Sequence, residues 1–501
     1  MNKFGKNTVS NIIAKLWSLV SVYIFIPFYI KILGETSYGL VSFFATLQTA
    51  LQLLGLGLTN TLRREFAVAD TGDESKKEKY LLLRSVENIY FLLGVFIVLL
   101  CTCGSKFIAN QWLNIENLNP ITVSRVIALM GCSIALQMIA SLYSGCLFGL
   151  DYQVLGNTCT IIWSIAKSTG ALGIIYFISP DLVLFYSWHI ITDIVYLLTL
   201  RILIIKKLNI RPLPVWRLNN TSNLQKIWKY ALGILFISLI ALVNKQLDKV
   251  VISKYLTLTE LGAYNVATTL GGAAGIIPSA LYTSVFPRFT KDATGGNKDK
   301  LVRNFKTVNK VVNIFLSCMG GFLAVYSLPL IEMWTGSKSY ISILGSVGLL
   351  VVLAVTAIEF QQIPYALALA HGNTKINVFV GGVFIPIVAI STFFAIKYFG
   401  LVGAGAIYFI MMAMQTFLYE YLVYKNYITE HPLKLIFSDT VLPLLVALVI
   451  AFISRVVIDT ATHNAIIMSV YAVCVGGITA FLMYMAYGRK ELLEFIHMRE
   501  D

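Results

Sequence analysis

The sequence predicts an all-α polytopic membrane protein, and three observations carry that prediction. Of 501 residues, 57% are hydrophobic and only 13% are charged, against about 25% charged in an ordinary soluble domain. Apolar stretches of about 20 residues recur from end to end, each long enough to cross a bilayer core of ~30 Å as a helix. The basic residues crowd into alternate links between those stretches, as in a chain threaded back and forth with its positive loops in the cytoplasm. A β-barrel would show alternating strands of about ten residues instead. A soluble chain of this length would need a polar surface that the composition does not supply.

The apolar runs define fourteen spans: 9–33, 39–62, 81–107, 121–149, 152–178, 181–205, 226–256, 259–287, 305–334, 340–370, 373–398, 400–427, 434–458 and 464–488. The first follows Lys3 and Lys6 and looks superficially like a secretion signal. It is rich in aromatics, runs on to Leu33 and lacks a small-x-small cleavage site, so it is kept as a span. Turn signals close hairpins at Gly34-Glu35-Thr36, Ser179-Pro180-Asp181, His371-Gly372-Asn373 and Phe399-Gly400. Twenty-eight Lys and Arg fall in the links on one side and six on the other, which places both termini in the cytoplasm. That asymmetry absorbs most of the +14 net charge without a nucleic-acid partner. The seven cysteines lie in apolar runs with no Cys-x-x-Cys spacing and read as small buried hydrophobes.

An internal repeat sets the organisation. The stretch Ser37 to Leu47 aligns with Glu260 to Leu270 at an offset of 223, with Gly39, Thr46 and Leu47 matching Gly262, Thr269 and Leu270. Both following spans end in a basic cytoplasmic segment, Arg63-Arg64-Glu65-Phe66 in one and Pro287-Arg288-Phe289 in the other. The expected domains are a six-helix bundle over 1–205, a cytoplasmic linker over 206–225, a second six-helix bundle over 226–428, and two extra helices with a cytoplasmic tail over 429–501. Six spans per repeat is even, so the repeats are parallel, an arrangement suited to alternating access with a substrate cavity between halves.

Two local motifs carry a family resemblance. Gln246-Leu247-Asp248-Lys249-Val250-Val251-Ile252-Ser253, followed by Glu260-Leu261-Gly262-Ala263-Tyr264, resembles the seventh-helix signature of polysaccharide transporters. Ile26 to Gly34, then Tyr38-Gly39, resembles that family's first hairpin. These are the O-antigen-type flippases of the multidrug/oligosaccharidyl-lipid/polysaccharide (MOP) exporter superfamily, and the 6+6+2 layout extends the resemblance over the whole chain. The resemblance implies a V-shaped pair of bundles in the bacterial inner membrane. It implies a substrate too: an oligosaccharide on a polyprenyl-pyrophosphate carrier, moved from the inner to the outer leaflet. A proton or a sodium ion is the expected coupling ion, and other polysaccharide-assembly membrane proteins are the expected partners. Two rivals remain: a multidrug or cation extruder of the same superfamily, and a membrane-embedded transferase acting on the lipid-linked glycan.

Ionisable groups within spans are costly and mark candidate sites. Lys245, Asp248 and Lys249 share one helical face. Two cations with one carboxylate leave positive charge for a pyrophosphate; the alternative is a local Lys245–Asp248 pair with Lys249 snorkelling to the outer interface. Lys15 either lines the cavity or anchors its helix near the cytoplasmic surface. Arg63 and Arg288 either gather the anionic carrier at the cavity mouth or are ordinary positive-inside charge. Lys167 and Asp193 each lie thirteen positions from Pro180, hence at equal depth on adjacent helices, which predicts a structural ion pair that His189, one turn from Asp193, is placed to share; a proton relay is the alternative. Glu359, followed by Gln361 and Gln362, offers acceptors and amides to sugar hydroxyls, with Gln48, Gln52 and Gln137 in the same polar set. A coupling proton on Glu359, or a bond to a neighbouring helix, is the alternative. The 26 Tyr and 30 Phe carry no weight, since membrane proteins use aromatics at both interfaces. No phosphate loop, metal-spaced cluster or aqueous domain is present in the sequence, so no enzymatic activity, cofactor or metal is expected.

Overall fold

The computed structural model describes residues 3–67, 73–208, 242, 246–295, 298–489 and 491. Lys245 and most of the span expected over 226–256 lie outside them. Regular structure among the described residues is helical, apart from one isolated parallel bridge between Asn114 and Thr257. The chain divides into two compact units, Met1–Thr259 and Glu260–Asp501.

The first unit contains α1 (Lys3–Leu33), α2 (Glu35–Ala67), α3 (Asp73–Phe107), α4 (Pro120–Gly149), α5 (Gln153–Phe177), α6 (Leu182–Leu208) and α7 (246–255). The first hairpin turns on Gly34, whose φ of +88° is left-handed backbone that a side chain would resist. Helix α4 starts with Pro120 in its first turn, and the Asn119 side chain accepts from the Ile121 amide at 2.9 Å, so both ends of the start signal in the sequence are used. Small residues let α4 approach its neighbours closely: Gly131 lies on Cys101 of α3, Gly145 on Thr59 of α2 and Gly149 on the Arg63 carbonyl. Helix packing in lipid relies on such contacts, because no hydrophobic force drives one apolar helix onto another there. Large apolar side chains on α3, α5 and α6, among them Phe91, Leu92, Phe96, Ile162 and Val195, are exposed. That is the surface a lipid-facing bundle needs.

At the far end of α3 a π-turn, Ile108–Trp112, meets the end of α7. Trp112 Nε1 donates to Ser253 Oγ at 3.1 Å and Lys254 Nζ to the Gln111 carbonyl at 2.5 Å. Thr259 Oγ1 donates to Glu116 at 2.6 Å and lies 2.9 Å from Thr36 Oγ1; the latter pair joins positions 223 residues apart, the offset of the sequence repeat.

The second unit holds most of α8 (Leu258–Gly272), then α9 (Ile276–Thr294), α10 (Lys298–Val325), α11 (Ser327–Thr335), α12 (Lys338–Leu344), α13 (Ser346–Glu359), α14 (Gln362–Ala370), α15 (Lys375–Tyr427), α16 (Pro432–Ile436), α17 (Leu442–Ala461) and α18 (Ala465–Met483). Helix α15 is two expected spans in one run of 53 residues, broken at Gly400 with φ +58°. A Cβ on Gly403 would meet the Ala395 carbonyl at 2.1 Å, so the two halves fold back tightly on each other. The span expected over 340–370 is discontinuous: it breaks at Gly345 and again at Phe360-Gln361, directly after Glu359. Helices α17 and α18 pack on α10, where Phe322 and Tyr326 meet Ala451, Met468 and Ala472, and Ile314 and Cys318 meet Ala447 and Met483.

Ten helices among the described residues are long and apolar enough to cross a bilayer, or eleven if the bent pair Leu258–Tyr282 and Ser284–Thr294 is one span. The difference between eleven and fourteen has three sources. Helix α15 contains two spans, the seventh span lies largely outside the described residues, and α2 interrupts its apolar run with Gln48, Gln52 and Asn60. At 33 residues and ~1.5 Å per residue, α2 is nevertheless long enough to cross.

Candidate functional site

The first unit is organised around one carboxylate. Asp193 of α6 is fully buried, 0% exposed. Lys167 of α5 places Nζ 3.0 Å from its Oδ1 and 3.1 Å from its Oδ2. Ser133 and Gln137 of α4 donate to Oδ2 at 2.5 and 3.1 Å, and Trp163 Nε1 of α5 donates to Oδ1 at 3.0 Å. An ionised carboxyl offers about four acceptor sites, so this one is saturated. The Lys167 ammonium also lies 5.0 Å from the Trp163 ring centroid, a cation–π distance. The network runs on into α2, where Gln48 and Gln52 donate to Gln137 Oε1 at 2.5 and 3.4 Å. Four helices are tied by one neutral cluster, and no surplus charge remains in it to attract a ligand.

His189 stands apart from that network. Its ring packs on Phe185 at 4.3 Å and on Tyr186 at 5.4 Å, and its Nδ1 has no hydrogen-bond partner. Among the described residues, a relay through His189 to Asp193 therefore has no bonded path.

The remaining candidates are dispersed. Lys15 is exposed on α1, whose opposite side bonds α5 through Trp17 Nε1 to Ser164 Oγ at 3.2 Å. Arg63 is exposed at the end of α2, 5.4 Å above the Phe148 ring. Asp248 and Lys249 are 5% and 8% exposed, so the Lys249 side chain is enclosed by protein, while Lys245 lies outside the described residues. Arg288 is half-buried on α9.

Glu359 belongs to a strip in the second unit that the sequence only partly discloses. It ends α13, accepts from Gln362 one turn on, and its carboxyl lies on the backbone of Gly275, where a Cβ would come within 2.4 Å of the carboxyl carbon. Gln361 Nε2 donates to Thr416 Oγ1 at 2.7 Å. About two turns along, Tyr282 of α9 stacks on Tyr365 of α14 at 5.9 Å and on Phe286 at 5.8 Å. Tyr282 and Tyr365 are half-buried, so part of each ring surface is open. Carboxylate, amide and stacked phenols in one strip are the groups that grip sugar hydroxyls and sugar faces. The spacing of Glu359, Gln362 and Tyr365, three residues apart each time, was the available signal.

Comparison with known proteins gives a consistent picture. Residues 4–292 match a family described as polysaccharide biosynthesis protein. A putative O-antigen transporter of Shigella flexneri is 23% identical over 441 residues, covering 84% of this chain and 99% of that protein. Among solved structures, the lipid II flippase MurJ in an inward closed conformation superposes with a TM-score of 0.72 at 13% identity, over 96% of this chain and 99% of that one. An inward-facing multidrug resistance MATE family transporter of the MOP superfamily superposes at 0.65 and 11% identity, over 85% and 98%. At those identities the two structures speak for the fold alone.

Proposed function

The chain belongs to the polysaccharide biosynthesis protein family, and from that premise we propose that it flips a polyprenyl-pyrophosphate-linked oligosaccharide from the cytoplasmic to the outer leaflet of the bacterial inner membrane. It is a multi-pass membrane transporter and not an enzyme, in keeping with the putative O-antigen transporter to which it is similar. The observation that carries the substrate is the near-complete overlap with the O-antigen transporter, 99% of that protein's length.

In this reading the 1–205 and 226–428 repeats rock against each other, with 429–501 as an appended pair of helices and both termini in the cytoplasm. Lys15, Lys245 and Lys249, with Asp248 as partial counter-ion, meet the pyrophosphate. Arg63 and Arg288 collect the anionic carrier at the cytoplasmic side. Gln52, and the strip of Glu359, Gln362, Tyr282 and Tyr365, hold sugar hydroxyls and faces. The Lys167–Asp193 cluster keeps the first unit rigid; being neutral, it offers no free acid to a cationic drug, which weighs against the extruder.

Deleting the gene in its host tests the proposal. Loss of surface glycan, with complete repeat units held on the carrier facing the cytoplasm, is the expected result. Incomplete units would point to a transferase, and normal glycan with raised sensitivity to cationic dyes to the extruder. Complementation with K245A/K249A is expected to fail while the protein still inserts; full complementation would remove the pyrophosphate role from both lysines.

A further inference from the structure

A second fully buried carboxyl lies in the second unit, and the transport reading does not use it. Glu420 of α15 is 0% exposed. Among the described residues its one hydrogen-bonding neighbour is Thr440, in the π-turn Phe437–Val441 ahead of α17, whose hydroxyl is 3.3 and 3.2 Å from the two carboxyl oxygens. Both distances are long for a hydroxyl donor, which usually sits about 2.7–2.8 Å from its acceptor. Thr440 in turn accepts from Asn313 Nδ2 of α10 at 3.0 Å.

Around this triad, several buried side-chain oxygens lack a hydrogen-bond partner among the described residues. Asn313 is fully buried, and its Oδ1 has no partner; one turn either side on α10, buried Asn309 Oδ1 and Ser317 Oγ are also without one. Asn309 spends its amide on Tyr424 Oη at 3.0 Å, one turn from Glu420. The charged groups nearby are engaged: Asp439 accepts from Ser438 at 2.9 Å, and Lys310 pairs with Glu491 at 2.7 Å. An unpartnered buried acceptor is costly, and a lone buried carboxylate more so. One proton on Glu420 would satisfy a single acceptor. A cation at the same place satisfies several oxygens together and neutralises the carboxylate.

We propose that Glu420, Thr440 and Asn313 form a binding site for one hard monovalent cation, enclosed by α10, α15 and the π-turn before α17. An all-oxygen donor set selects hard cations. Glu420 is the one acid among these three side chains, and a single positive charge neutralises it. The site is independent of what the protein carries.

The test is thermal unfolding of the detergent-purified, full-length protein without lipid-linked substrate, in sodium chloride against choline chloride at equal ionic strength. An ion bound only by the folded state raises the midpoint with concentration, and a saturable rise of about 2 °C or more is expected for the wild type. E420Q and T440V should each abolish the difference, while D459N, in an ion pair elsewhere on α17, should keep it. Equal midpoints in sodium and choline for the wild type would overturn the site and make Glu420 a protonated structural acid. A sodium shift that survives in E420Q would overturn it too, by placing the ion elsewhere. The wild-type arm stands even if a variant fails to fold, and sodium-22 retention on T440V repeats the variant arm.

Discussion

Asp193 and Glu420 are both completely buried, yet their surroundings differ in kind. Asp193 receives an ammonium, a hydroxyl, an amide and an indole; among the described residues, Glu420 has one distant hydroxyl and a set of unpartnered buried oxygens nearby. The first arrangement is closed, because every lone pair is used and the net charge is zero. The second is open, because among the described residues no cation bonds to the carboxyl. Burial alone therefore does not assign a role to an intramembrane acid. The balance of donors and acceptors around it does, and that balance separates a structural brace from a binding site.

The largest expected effect comes from opening the closed cluster. K167M leaves an uncompensated buried carboxylate, a loss of about 3–5 kcal/mol for a broken buried pair. Protein recovered from membranes and its unfolding midpoint should fall together. The double variant K167M/D193L should recover much of that loss, since replacing both partners by apolar groups is often near neutral. A double variant as unstable as K167M would mean that the four-helix network, not the charge, is what matters. One step down, W163F or S133A removes one donor of several and is expected to cost about 1–3 kcal/mol by the same measurement.

The two clusters also differ in how far the sequence disclosed them. Lys167 and Asp193 could be paired from sequence because a single Pro180 hairpin fixes their relative depth. Ser133 could not, since α4 meets α5 and α6 through packing that no local pattern encodes, whereas Trp163 lies one turn before Lys167 on α5, and that four-residue spacing was an available signal. The all-helical, many-span layout follows from hydropathy, and the turns at Gly34 and Gly400 fall where the sequence marks them. Breaks such as the one after Glu359 escape a hydropathy reading, which sees one continuous apolar run over 340–370. Nothing local in the sequence singles out Glu420, which lies five residues before Lys425 and seven before the end of α15. Its burial depends on α16, the π-turn and α17 folding back over α10 and α15. The signal was Asn309, Asn313 and Ser317 at four-residue spacing within a buried helix.

Amide replacement of the two acids sharpens the contrast. D193N deprives Lys167 of its counter-charge and is expected to lower the unfolding free energy by more than about 2 kcal/mol. E420Q, measured in choline, keeps shape and hydrogen-bonding capacity at a neutral site and should cost less than about 1 kcal/mol. If E420Q were as damaging as D193N in choline, Glu420 would be part of a closed brace after all. A similar test bears on Glu359. G275A pushes a methyl to 2.4 Å from its carboxyl carbon, so the carboxyl must move, and glycan export in the complementation assay should drop with little change in stability.

The smallest effect calibrates all the others. Lys306 and Glu430 form a 2.6 Å ion pair with side chains 30% and 50% exposed, in a setting where such a pair contributes about 0–1 kcal/mol. K306A should therefore leave the unfolding midpoint almost unchanged at moderate salt, and the little it does cost should vanish as ionic strength rises. The Lys167–Asp193 pair, shielded from counter-ions, should keep its contribution over the same salt range. Equal salt sensitivity for the two pairs would mean that water and ions reach Asp193, and the distinction between a closed and an open buried acid would fail at its better-defined end.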